Sequence, residues 1–60
     1  MIRKLEDCNV GDVVQMYCIG WGRFDNQLSR IIDKGFFIKV KGADGVVSNF
    51  VSSAECRTID

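Results

Sequence analysis

Three cysteines, Cys8, Cys18 and Cys56, are the side chains in this 60-residue chain best suited to chemistry. A thiolate can ligate a metal or attack an electrophile, but either role needs neighbouring help. A tetrahedral zinc site wants four ligands, and these cysteines form no C-x-x-C pair. The chain has no histidine, so the commonest general base at neutral pH is missing. Asp7, Asp12, Asp25, Asp33 and Asp44 fall at turn and cap positions rather than as a facing acid pair. Ser48, Ser52 and Ser53 have no base to activate them. The expectation is a non-enzyme without cofactor or metal. Its cysteines act as small buried apolar side chains in a reducing, cytoplasmic compartment.

The other chemistry on offer is recognition. Trp21 and Phe24 lie in one loop-like stretch, Tyr17 precedes it, and Phe37 points away from the core face of a later strand. Four aromatics at one end of a small fold would make a cage or a protein-docking patch. The alternative is that Trp21 and Phe24 fold back as a lid on an undersized core. Gly20 and Gly22 around Trp21 suit both, because each permits a backbone that a Cβ would forbid. Arg23, Arg30, Lys39 and Lys41 could share one outer surface. Lys39 and Lys41 interleave with Phe37, as single-stranded nucleic acid prefers, although a plain solvated face reads the same way.

These residues need elements to hold them. Asp12 to Ile19 reads as a strand, with Val14, Met16 and Cys18 on the core face. Residues 27–32 follow as a second strand, in preference to a helix built on the stripe Phe24, Leu28, Ile31 and Ile32. Asp33-Lys34-Gly35 reads as a tight hairpin turn into residues 36–41, where Phe36, Ile38 and Val40 share the core face. Ala43-Asp44-Gly45 turns the chain into Val46 to Val51. Residues 52–55 read as one 3₁₀ turn, and Cys56 to Ile59 as a short last strand. The layout predicts an all-β, five-stranded SH3-like or Tudor-like small barrel over residues 1–60, with that 3₁₀ turn before its last strand.

Composition narrows the class. Sixty residues are one domain, burying only about 60% of the unfolded surface. Eight basic and eight acidic residues give zero formal net charge, which disfavours a dedicated nucleic-acid coat. No apolar run approaches the ~20 residues of a membrane span, and Met1 to Asp7 lacks the apolar core of a signal peptide.

Gly11-Asp12-Val13-Val14, then five residues, then Gly20-Trp21-Gly22-Arg23-Phe24, covers about a quarter of the chain. It resembles the start of the RNA-polymerase-interacting, Tudor-like domain of CarD regulators and transcription-repair coupling factors. Those begin with a Gly-x-x-Val strand and a Gly-x-Gly-Arg-aromatic turn. The histidine usual in that first strand and turn is absent, with Met16 and Ile19 in the region. The resemblance implies a non-catalytic module that binds a protein of the transcription apparatus, RNA polymerase included. Tyr17, Trp21, Arg23, Phe24 and Phe37 would touch it, together with an exposed strand. Rival readings are a nucleic-acid-binding barrel using Arg23, Arg30, Lys39 and Lys41, and a homo-oligomer that buries its aromatic patch. The short type II dihydrofolate reductases are the most distant comparison. Their Val-Gln-Ile-Tyr motif is replaced here by Val47-Ser48-Asn49-Phe50.

Overall fold

The computed structural model describes residues 1–59, and every element among them is strand or turn, apart from one 3₁₀ turn. The strands are β1 (Ile2–Lys4), β2 (Val13–Cys18), β3 (Arg23–Phe24), β4 (Ser29–Lys34), β5 (Ile38–Gly42), β6 (Val47–Phe50) and β7 (Glu55–Thr58). All pairings are antiparallel, in the order β1-β7-β2-β4-β5-β6, with β3 beside the end of β2. The extents of 26 × 24 × 23 Å are nearly equal, so the sheet is curled rather than flat. It is not closed, because β1 and β6 end the ladder without pairing.

Period-2 alternation builds the core. Val14 and Met16 on β2, Ile31 on β4, Ile38 and Val40 on β5 and Cys56 on β7 face inward and are buried. Leu5 and Cys8 complete the cluster, and among the described residues no polar or charged side chain is buried with them. The two mid-chain hairpins, β4–β5 and β5–β6, differ in their turns. Between β5 and β6, Gly45 adopts φ +85° and Asp44 Oδ1 accepts from the Val46 N–H at 3.0 Å. That is a three-residue loop with glycine at its left-handed position.

Several expectations need correction. Among the described residues there are seven strands rather than five, because Ile2–Lys4 pairs with β7 and Arg23–Phe24 pairs with β2. The 3₁₀ turn is Leu5–Asp7, not residues 52–55. In the latter segment the Ser52 and Ala54 carbonyls accept from the Glu6 and Leu5 N–H groups at 3.0 and 2.9 Å. Those bonds turn the carbonyls toward the N-terminal segment instead of along a helix. The segment keeps a single turn, from the Ala54 N–H to the Val51 carbonyl at 3.1 Å.

The β4–β5 connection also shifts. A bulge at Ile32 breaks the register between Ile31 and Asp33 and lets β4 run on to Lys34. The Lys34 ammonium then donates to the Cys8 and Glu6 carbonyls at 2.6 and 3.1 Å. The turn therefore becomes Gly35-Phe36-Phe37 instead of Asp33-Lys34-Gly35. Phe36, expected on the core face, sits in that turn and is 91% exposed.

All three cysteines are free thiols. Cys8 and Cys56 lie in contact in the core, with their sulfurs 3.7 Å apart. Burial, reinforced by the neighbouring Cys8 thiol, pushes the Cys56 thiol up from 9.0 to about 12.

Two outcomes test this architecture. Leu5→Ala should cost about 2–5 kcal/mol, as buried leucine truncations do. That matches the ~3–5 kcal/mol a core of this size supplies, so the variant should be largely unfolded by circular dichroism. A loss under about 1 kcal/mol would show that Leu5 does not anchor the core. The second outcome concerns Cys56, whose raised pKa keeps its proton on the folded chain. Above pH 9 the unfolded chain releases that proton first, so stability should fall as pH climbs from 9.0 toward about 12. Urea melts at stepped pH should show this decline in the wild type and a shallower one in Cys56→Val. Parallel curves would contradict it.

Candidate functional site

The β2–β3 hairpin presents the aromatic end of the molecule. Its loop, residues 19–22, is closed by the Cys18 carbonyl, which accepts from the Trp21 and Gly22 N–H groups at 3.0 and 2.8 Å. Gly22 takes φ +66°, a left-handed value that favours glycine, whereas Gly20 needs no such freedom. The loop is thus defined by its own hydrogen bonds rather than by burial. Trp21 stands on it 68% exposed, with the Arg23 guanidinium 5.5 Å from its ring centroid.

Phe24 pairs across the hairpin with Tyr17, edge to face, at 5.1 Å between centroids. The Arg57 guanidinium lies over the Phe24 ring at 4.8 Å. Its Nε and Nη2 both donate to Gln15 Oε1, at 3.0 and 2.6 Å, and so fix its plane. Register places Ile2 opposite Arg57 on the same outer face, and Ile2 is exposed. Tyr17, Phe24, Arg57 and Gln15 therefore form one connected stack. Sequence proximity does not connect Arg57 with Gln15, because their contact joins positions 42 residues apart. Arg57 does follow the inward Cys56, which makes it outward by alternation, and that was the available signal.

The other expected site residues divide. Trp21, Arg23, Tyr17 and Phe24 all lie on the hairpin, as two pairs on its two faces: Tyr17 with Phe24, and Arg23 with Trp21. Phe37 does not join them. It packs edge-on against Phe36, 5.0 Å away, at the β4–β5 turn. Antiparallel register puts that turn at the far end of the sheet, since Val14 meets Ser29 while Tyr17 meets Phe24. Arg30, Lys39 and Lys41 share the outer face of β4 and β5 and are exposed. Arg23 lies on the opposite face of its hairpin, beside Trp21, so the four cations do not form one surface.

The inner face holds a feature no single segment announces. Where β2 and β6 diverge, the curled sheet leaves a cleft of about 620 Å³. Met16, Cys18, Val40, Phe50 and Ala54 form its apolar floor. Asp25, Asp44 and Glu55 stand on its rim, and no lysine or arginine lines it. No helix among the described residues is long and apolar enough to cross a membrane.

No protein-family model matches the chain, and no curated protein or solved structure matches it either.

The exposure of Trp21 separates a docking residue from a core lid. Trp21→Ala should change stability by less than about 1 kcal/mol, as exposed surface positions do. Iodide should quench the wild-type indole readily. A protected indole together with a loss of about 3–5 kcal/mol would identify a lid instead.

Proposed function

We propose that this chain is a small non-catalytic interaction module that binds a protein partner through the aromatic β2–β3 hairpin and an exposed strand. The observation that carries the reading is Trp21. A 68% exposed indole on a hydrogen-bonded loop, backed by a guanidinium, has the composition of an interface anchor. Tyr17, Phe24 and Arg57 add a second aromatic surface on the other face of the same hairpin, at low entropy cost because their rings and fork are already stacked. Burial of Cys8 and Cys56 among apolar side chains suits a structural role for those two thiols.

The resemblance of Gly11 to Phe24 to the polymerase-interacting domain supports a partner in the transcription apparatus, RNA polymerase foremost, and a cytoplasmic setting. In this reading the curled sheet is a variant of the SH3-like or Tudor-like barrel. Gly11 and Gly22 of that motif both adopt positive φ, at +97° and +66°, so two of its glycines have conformational reasons to be there.

One observation favours a second reading. Arg30 and Lys41 are direct cross-strand partners, and like charges placed opposite each other are destabilising. With Lys39 on the same face they would suit the phosphates of a single-stranded nucleic acid.

The test is capture of a partner from a nuclease-treated bacterial lysate, followed by titration of the purified partner. Trp21→Ala should lose about 2 kcal/mol or more of binding, the scale of an anchor aromatic. Unchanged affinity would remove Trp21 from the interface. Capture that disappears with nuclease, with steep salt dependence and loss on Lys41→Ala, would favour the nucleic-acid reading.

A further inference from the structure

Strand β6 is paired on one side only. The phase of its ladder follows from one bond, the Gly42 N–H to the Val46 carbonyl at 2.9 Å. Antiparallel alternation then directs the backbone groups of Ser48 and Phe50 toward β5. The N–H and C=O groups of Val47 and Asn49 point away from the sheet. The stretch from Gly45 to Ala54 carries no charge and no proline, so this edge lacks the usual protection against strand pairing. The opposite end differs, because β1 is only three residues long and carries Arg3 and Lys4.

The same strand lines the cleft. Val46, Ser48 and Phe50 face it, while Val47 and Asn49 face outward beside Lys41 and Lys39. A strand added to β6 would send every second side chain over the apolar floor toward Asp25, Asp44 and Glu55. The alternate side chains would emerge beside Val47 and Asn49, with Lys41 and Lys39 one strand further in. The two faces of such a strand therefore meet opposite electrostatic demands.

We infer that the free edge of β6 and the adjoining cleft receive an extended segment of a partner protein with lysine or arginine at every second position. The inward side chains lay their methylene stems on Met16, Val40 and Phe50 and carry their charges to the three rim carboxylates. The outward positions are neutral or acidic, because a cation there would add to the positive charge of Lys39 and Lys41 one strand away. Backbone bonds to Val47 and Asn49 supply register, as in strand addition generally. The inference rests on the interaction-module reading but not on Trp21, and it is tested on the purified chain without the captured partner.

The probe is a capped heptapeptide, Thr-Lys-Val-Lys-Val-Lys-Thr, compared with the same peptide carrying Glu for Lys. Nuclear magnetic resonance titration should shift the amides of Val47 and Asn49 and slow their hydrogen exchange with the lysine peptide alone. Asp44→Asn and Asp25→Asn keep the side-chain oxygen that each turn uses, so the triple variant with Glu55→Gln should remain folded. Its affinity for the lysine peptide should fall about tenfold, and wild-type binding should weaken with salt. Equal binding of the glutamate peptide would overturn the inference, as would indifference to the triple variant or shifts confined to the outer face. Protection of Val47 and Asn49 that rises with protein concentration, without peptide, would also overturn it and name a second copy as the occupant. Trp21→Ala should leave the peptide titration unchanged, so a failure of the aromatic docking reading and a failure of this one are distinguishable.

Discussion

The insertion of Leu5 beneath the curled sheet is the contact on which the rest depends. A chain this short has little apolar surface to bury, and an open antiparallel sheet exposes both faces of its strands. Leu5 is fully buried among Val14, Ile31, Ile38 and Cys56. It is placed by β1 lying along β7 and by two backbone bonds from the 3₁₀ turn to the Ser52–Ala54 segment. The Lys34 ammonium closes the same end by capping the Glu6 and Cys8 carbonyls. One half of the concave face is thereby filled by the chain's own N-terminus. The other half has no such plug, and the cleft between β2 and β6 is the result.

Much of this was legible where one face is buried. Alternation at Val14 and Met16, and at Ile38 and Val40, marks β2 and β5 because burial enforces period 2. Gly45 marks its hairpin because its φ of +85° excludes most side chains. The misses share a physical origin. Strand β1 has all three residues exposed, so its identity comes from pairing with β7 and leaves no pattern in the sequence. Phe36 misled because a bulge at Ile32, fixed by tertiary contacts of Lys34, moved the turn by two residues. At the candidate site Trp21 and Arg23 were readable as neighbours in sequence. The Arg57–Gln15–Phe24 stack was not, since it exists only once β7 lies against β2.

Zero net charge conceals a sided molecule. Arg30, Lys39, Lys41 and Arg57 share the convex face, while Asp25, Asp44 and Glu55 line the cleft. No strong field surrounds the whole, yet cations outnumber the one paired carboxylate, Asp33, on the convex face, and carboxylates gather at the cleft. Composition alone can exclude a polycationic coat and still miss this arrangement. Cross-strand register decides which charges become neighbours.

The contact between Cys8 and Cys56 has a consequence for the chain's motions. These two sulfurs join the segment that follows the first strand to the last strand, sealed from solvent at 2% and 0% exposure. No alkylating reagent reaches them while the two ends stay together. Their rate of labelling therefore works as a clock for the parting of the termini. When reclosing outruns the reagent, that rate reports how rarely the ends separate, and when it does not, how fast they do. The half-buried Cys18, on the cleft floor, keeps separate time for the open half. One reagent thus distinguishes local fraying of the closure from breathing of the cleft, within a single small molecule.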